Sequence, residues 1–269
     1  MNSIDKYPTL IQFESFARFR NVLSFTTTRK GGFSSGTYDS FNLSYFSGDD
    51  PETVDKNRAL LCEALSVSTD KLFVPFQTHQ TDFCVINRDF ISLSKAEQAQ
   101  RLRGKDALIT DCKGIAIAVT TADCVPIVVY AADKGIAAAV HAGWRGTCGK
   151  IIEKVVSCMV NEMDCSPEKM HAAIGPSISA ESFEVGEEVV SAFQDNNFEL
   201  KNISFRHPVT GKAHIDLWKA NRQLMEKTGI PSLQIQEAAI CTFKREEAFF
   251  SARKAGIASG RMLTGIVLS

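Results

Sequence analysis

Two apolar runs, Val125-Pro126-Ile127-Val128-Val129-Tyr130-Ala131 and Ile136-Ala137-Ala138-Ala139-Val140-His141, flank the turn sequence Ala132-Asp133-Lys134-Gly135. Each run is short and continuous in Val, Ile and Ala, the pattern of strands buried on both faces. Residues 114–121, just upstream, read the same way. With Asp133 and Lys134 as a two-residue hairpin loop, Pro126 lies opposite His141. Cys124 then shares that face one diagonal away, at roughly 7–8 Å between backbones. A cysteine and a histidine thus arrive together at the ends of adjacent strands, among the small residues of Ala122-Asp123-Cys124 and His141-Ala142-Gly143. Small neighbours let a metal or a substrate approach the backbone.

A third candidate ligand, His79 in Gln77-Thr78-His79-Gln80, stands upstream. Two imidazoles and one thiolate make a zinc set with an open fourth position, as catalytic sites have. The same set is compatible with Cu2+. It also admits a metal-free reading, with Cys124 as nucleophile and His141 as base, and a non-enzymatic one, a zinc-stabilised binding module. A multicopper oxidase needs an electron-accepting copper plus an oxygen-reducing cluster, and five histidines in all are too few for it. The other three, His171, His207 and His214, have no partner at a recognisable spacing and read as structural.

Helices surround these strands. Asp50-Pro51 opens one that reaches about residue 65, with Asp50 as N-cap and proline in the first turn. Arg58 falls in its apolar stripe of Val54, Leu61 and Leu65. An arginine facing the core needs a partner, either a structural ion pair or a substrate. Past Gly143 and Gly146, a helix starting near Thr147 buries Ile151, Ile152, Val155, Val156 and Met159, and Cys148 and Cys158 belong to its packing. Another spans residues 216–228, capped by Asp216 and stopped by Gly229. Residues 262–268 form a final strand. There is no internal repeat, linker or regular βαβ alternation. The expectation is one domain over residues 1–269, an α/β (or α+β) layered sandwich with a mixed central sheet flanked by helices.

Composition narrows the partners. The 269 residues can bury a substantial core, and the fractions, 44% hydrophobic and 23% charged, are ordinary. A formal net charge of -1 gives no reason to expect nucleic acid or an anionic membrane. No apolar run approaches the ~20 residues of a membrane span. The opening Met1-Asn2-Ser3-Ile4-Asp5-Lys6 lacks the basic start and apolar core of a signal peptide. Eight cysteines without paired spacing read as free thiols, so a reducing cytoplasm is expected.

Thr28-Arg29-x-Gly31-Gly32, Asn42-Leu43, Asn57-Arg58, Gln77-x-His79 and Asp106-Ala107 lead into Ala122-Asp123-Cys124-x-Pro126 and His141-Ala142-Gly143-Trp144-Arg145-Gly146. Cys241-Thr242, Ser251-x-Arg253 and Gly260-Arg261 follow. This series resembles the bacterial purine nucleoside phosphorylase family formerly called multicopper polyphenol oxidase, or laccase-like, over nearly the whole chain. The Ala-Asp-Cys and His-Ala-Gly-Trp-Arg-Gly elements are its most specific parts.

The resemblance implies one zinc held by His79, Cys124 and His141. It implies phosphorolysis of adenosine, inosine, guanosine and S-methyl-5'-thioadenosine by inorganic phosphate, and deamination of adenosine. Cys124, His141 and Arg58 are then the catalytic candidates. Arg29, Arg58 and Arg145 are substrate-binding candidates because an arginine fork matches phosphate oxygens, and Asn42 of the Asn42-Leu43 element joins them. The zinc deaminase signature His-x-Glu with Pro-Cys-x-x-Cys is absent, so deamination would use a different site. The chain departs from the family pattern at Gln80 and Ser44, where glycine is common, and at Lys254, where a second arginine is common.

Overall fold

In the computed structural model the two runs are the strands Val125–Ala131 and Ile136–Ala142, paired antiparallel with Pro126 opposite His141. The expected hairpin register is therefore the observed one. The structure describes residues 2–4 and 7–269, with side chains from Leu10 onward. The hairpin lies at the centre of a six-stranded sheet. Its edge-to-edge order is Ile235–Glu237, Met170–Ile174, Val125–Ala131, Ile136–Ala142, Ala107–Thr110 and Phe83–Ile86. A second sheet runs Asn2–Ile4, Tyr7–Gln12, Val22–Thr27, Met262–Leu268, Ile115–Thr121 and Leu72–Phe73.

The two sheets pack face to face. Val128, Tyr130, Ala137 and Ala139 of the first meet Ile115, Ile117, Val119 and Ile266 of the second. On the other side of the hairpin, Ile127, Val129, Ala138 and Val140 are covered by the helices Ile151–Asn161 and Leu217–Lys227. The far face of the second sheet, through Ala116, Ala118 and Leu263, packs on Leu61, Cys62 and Leu65 of the helix Pro51–Leu65. The layered α/β sandwich holds, with its central layer doubled. A strand buried on both faces carries the same apolar run whether a helix or another sheet covers it. Side chains alternate along a strand, so His141 shares the inter-sheet face with Ala137 and Ala139. The rim of that inter-sheet layer is where the candidate ligands emerge.

Helix boundaries follow the capping chemistry. The Asp50 side chain accepts from Thr53 N, and Asp216 accepts from Lys219 N. The helix expected near Thr147 is divided into Trp144–Cys148 and Ile151–Asn161, because Lys150 between them adopts φ +59° and turns the chain. Cys148 thus ends the shorter piece, yet it still packs in the same core as Ile151 and Val155. All eight cysteines are free thiols. Among the described residues, no helix is long and apolar enough to cross a membrane.

His171, in the strand Met170–Ile174, is structural and buried. Arg18 Nη2 lies 2.8 and 2.7 Å from its two ring nitrogens. Burial, and then the Arg18 charge, push the ring down to about 4. The unfolded ring binds its proton near pH 6.5, so between these values the unfolded state holds more protons and stability falls as pH falls. The expected loss from this residue is roughly 2 kcal/mol between pH 7 and pH 5. Urea melts of His171→Gln should lack that component; an equal loss in variant and parent would contradict the assignment.

Candidate metal centre

Each ligand is delivered by a different device. Cys124 follows Asp123, whose φ of +90° is a conformation that non-glycine residues seldom adopt. Four hydrogen bonds hold it there. Its carboxylate accepts from Thr242 Oγ1 at 2.7 Å, Ser251 Oγ at 2.9 Å and Arg253 N at 2.7 Å. Its carbonyl accepts from Ile178 N at 2.9 Å. Three distant segments therefore clamp the turn that presents the thiol.

His79 sits in a loop tied to both sheets. Gln77 imitates a strand partner for Thr120, donating Nε2–H to its carbonyl at 2.8 Å and accepting from its amide at 2.7 Å. His79 itself has φ +60°. The amides of Thr78, His79 and Gln80 all donate to the carboxylate of Asp106, at 3.2, 3.0 and 2.8 Å. The same carboxylate lies 2.7 Å from His141 Nδ1.

The donor atoms of His79, Cys124 and His141 all lie within 4.8 Å of one another. The two imidazoles meet edge to face, with ring centroids 4.8 Å apart. His141 is buried, Cys124 half-buried and His79 exposed, so the cluster opens to solvent on the His79 side. Burial alone would raise the Cys124 thiol. The charge and hydrogen bond of His141, helped by His79, hold it down to about 6. Burial would likewise lower His141, but the Cys124 charge and Asp106 raise it to about 9. Asp106 stays low despite complete burial because His141 and the loop amides stabilise its charge. A thiolate beside imidazoles is the ligating form of this set. Gly143 leaves room for an occupant. A Cβ there would stand 3.0 Å from Cys124 Sγ, 3.4 Å from His79 Cδ2 and 3.7 Å from His141 Cε1.

The predicted arginines take varied positions. Arg145 is exposed on the helix just past Gly143, with its guanidinium 4.2 Å from the Trp144 ring. Arg58 donates Nε–H to the Leu43 carbonyl at 2.9 Å and lies 4.1 Å from the Tyr45 ring. Among the described residues it makes no ion pair, so the structural ion pair weighed for it is not found, and burial lowers its pKa. Arg29 is turned to the protein. It donates to the carbonyls of Asp39 at 2.8 Å and Glu246 at 2.9 Å, and it lines a cleft with the acidic side chains of Glu246 and Glu247. Asn42 is fully buried, its amide bonded to Ser44 O, Ser47 Oγ and Asp49 Oδ2, with its oxygen accepting from Ser44 N and Arg261 N. Neither Arg29 nor Asn42 touches the three ligands. Both organise the loop that leads to Arg58.

Asp106, Asp123, Gly143 and Arg261 stand around the cluster in positions that no local spacing announces. Burial pushes Arg261 down, against the nearby charges of Cys124 and Asp123. The Gly-Arg pair ahead of the last strand was its sole signal.

The family model described as multi-copper polyphenol oxidoreductase laccase matches residues 23–269. The chain belongs to this laccase-like family. A purine nucleoside phosphorylase from Bacteroides thetaiotaomicron is 46% identical over 268 residues, covering 100% of this chain and 99% of the relative. Adenosine deaminase RL5, from an unknown prokaryotic organism, is 45% identical over 245 residues, or 91% of this chain and 93% of that protein. The crystal structure of YlmD from Geobacillus stearothermophilus superposes with a TM-score of 0.88 at 30% identity, covering 97% of this chain and 96% of that one. For a family with that copper description, this member offers a single cluster. Among the described residues, His79, Cys124 and His141 are the one group of three or more His, Cys, Asp or Glu side chains placed to hold a metal ion.

Proposed function

We propose that this chain is a zinc-dependent purine nucleoside phosphorylase acting as one domain over residues 1–269. Adenosine, inosine, guanosine and S-methyl-5'-thioadenosine are its nucleosides, inorganic phosphate is the co-substrate, and adenosine is also deaminated. The observation that carries this reading is the convergence of His79, Cys124 and His141 in a chain whose similar relatives are named purine nucleoside phosphorylase and adenosine deaminase. Eight free cysteines support a cytoplasmic setting.

The donor set fits zinc, with one anionic sulfur, two nitrogens and a glycine floor that leaves space above the cluster. When bound there, zinc supplies Lewis acidity toward an oxygen of substrate or solvent. The remaining work belongs to the chain. In phosphorolysis a phosphate oxygen bonds to C1' while the C1'–N9 bond breaks and the purine leaves. Arg145, two residues beyond Gly143, and Arg58, a half-buried cation without an ion-pair partner among the described residues, are the groups we assign to phosphate and ribose oxygens. Arg29 and Asn42 serve the substrate by holding the Arg58 loop in place.

Incubation with adenosine and phosphate tests the assignment. Ribose-1-phosphate with adenine is the expected phosphorolysis product, and inosine with ammonia the deamination product. If neither forms with zinc-loaded protein, the reading fails.

A second reading has its own observation. Cys124, His141 and Asp106 form a thiolate, an imidazole and an orienting carboxylate in sequence, which is also the arrangement of a cysteine nucleophile. A covalent acyl adduct on Cys124 in metal-stripped protein would favour it. Copper loading coupled to oxygen uptake would favour a phenol oxidase.

A further inference from the structure

We propose that Asp106 is a positioning residue that sets both histidines of the cluster at once, fixing which nitrogen of His141 bears a proton and fixing the backbone that presents His79. The metal reading above underlies only the affinity part of the test. The carboxylate is fully buried and surrounded by four partners. Oδ1 accepts from His79 N at 3.0 Å and lies 2.7 Å from His141 Nδ1. Oδ2 accepts from Thr78 N at 3.2 Å and from Gln80 N at 2.8 Å.

Three of these partners are backbone amides and can only donate. An ionised carboxylate can only accept, so the His141 contact requires a proton on Nδ1. Nε2 is then the nitrogen left to face Cys124. Orienting one ring nitrogen through the other is how outer carboxylates act on histidine ligands.

Asp106 reaches His79 by another route. Its bond to that residue is to the backbone amide. It gathers three consecutive amides, and this holds His79 at φ +60°, where a residue with a Cβ is disfavoured. Strand register explains why one side chain does both jobs. Ala107 pairs with Val140, which sets Asp106 beside His141, and the Asp106 carbonyl accepts from His141 N at 2.8 Å. Gln77 anchors the start of the loop separately, to Thr120.

Asp106→Asn keeps the shape and replaces one oxygen with an NH2 group. With all four partners donating, either orientation of the amide opposes N–H to N–H. Facing Thr78 and Gln80, the clash has no remedy. Facing His141 and the His79 amide, the clash at His141 is relieved only if Nδ1 gives up its proton and the ring keeps one on Nε2, the nitrogen a metal would need, and the His79 N–H then remains as the single opposed donor.

The test uses two readouts that do not involve turnover. In the metal-free parent, nitrogen-15 NMR should show a His141 Nδ1–H protected from exchange, and Asp106→Asn should lose it. Chelator competition should show zinc binding weakened ~100-fold or more in the variant, at or beyond the upper end for outer-shell changes. Gln77→Ala is the comparison. It loosens the same loop without touching the carboxylate, so it should keep the His141 Nδ1–H and lose less affinity. Parent-like zinc affinity in Asp106→Asn would overturn the proposal, and so would a parent His141 protonated only at Nε2. If Asp106→Asn does not fold, or if the parent takes up no zinc, the proton position in the parent decides the matter. A parent that binds zinc and meets both expectations but converts no nucleoside would sink the proposed function and leave this inference standing.

Discussion

Replacing Cys124 with alanine is expected to weaken zinc binding and lower phosphorolysis by roughly 10³-fold or more, since a lost ligand costs more than the 10–100-fold of an outer-shell change. Cys124 is the only anionic donor of the three. Its thiol is held down to about 6 although burial pushes the other way, so at neutral pH it is already the ligating thiolate. Alanine leaves two neutral imidazoles, and one of them, His141, loses the charge that raised it. Cys148→Ala controls for general thiol loss. Cys148 packs against the core, and burial pushes its thiol up to about 12, which makes it inert. That variant should keep turnover within about twofold and lose about 1 kcal/mol of stability to the small cavity. Metal content by mass spectrometry and initial rates with adenosine check both variants. Equal rates in Cys124→Ala and the parent would remove the centre of the reading.

Gly143→Ala should lower turnover by about 100-fold, the scale of a sub-ångström to 1 Å displacement of reacting groups. The added methyl would meet Cys124 Sγ at 3.0 Å, so the thiol must shift by a few tenths of an ångström, while His79 Cδ2 at 3.4 Å stands at the limit of ordinary contact. The backbone itself has no objection. Gly143 has φ -62° and ψ 172°, which any residue adopts, so the melting temperature should hardly move. A steric fault confined to the site thus separates from a folding fault. If the variant unfolds, or if it binds zinc and turns over like the parent, the glycine is not the floor of the functional cluster.

The features that could be read along the chain share a local origin. Pro126 and His141 pair as expected because a short turn and alternating side chains fix a hairpin register within about fifteen residues. The capping aspartates at positions 50 and 216 announce their helices because the hydrogen bonds they make lie three residues away. Even so, Lys150 breaks a helix that periodicity alone would continue, since one left-handed residue overrides an apolar stripe.

What tertiary structure added depends on partners far apart in the chain. Asp123 meets Thr242, Ser251 and Arg253, and Gln77 meets Thr120, with no periodicity to foretell either. Arg58 falls in an apolar stripe, which leaves a structural ion pair or a substrate contact open, and only the fold sets it against Tyr45 and on the Leu43 carbonyl. Asn42 and Arg29 stand as substrate contacts in the sequence, but in the fold Asn42 is bonded to backbone and side-chain groups of its own loop, and Arg29 gives Nε and Nη1 to the carbonyls of Asp39 and Glu246. The strands, the hairpin and the identity of the three donor residues are properties of local sequence. Their assembly into one cluster, under a buried Asp106 and over a bare Gly143, comes from packing two sheets together, a long-range arrangement that the apolar runs favour without specifying which side chains meet at its rim.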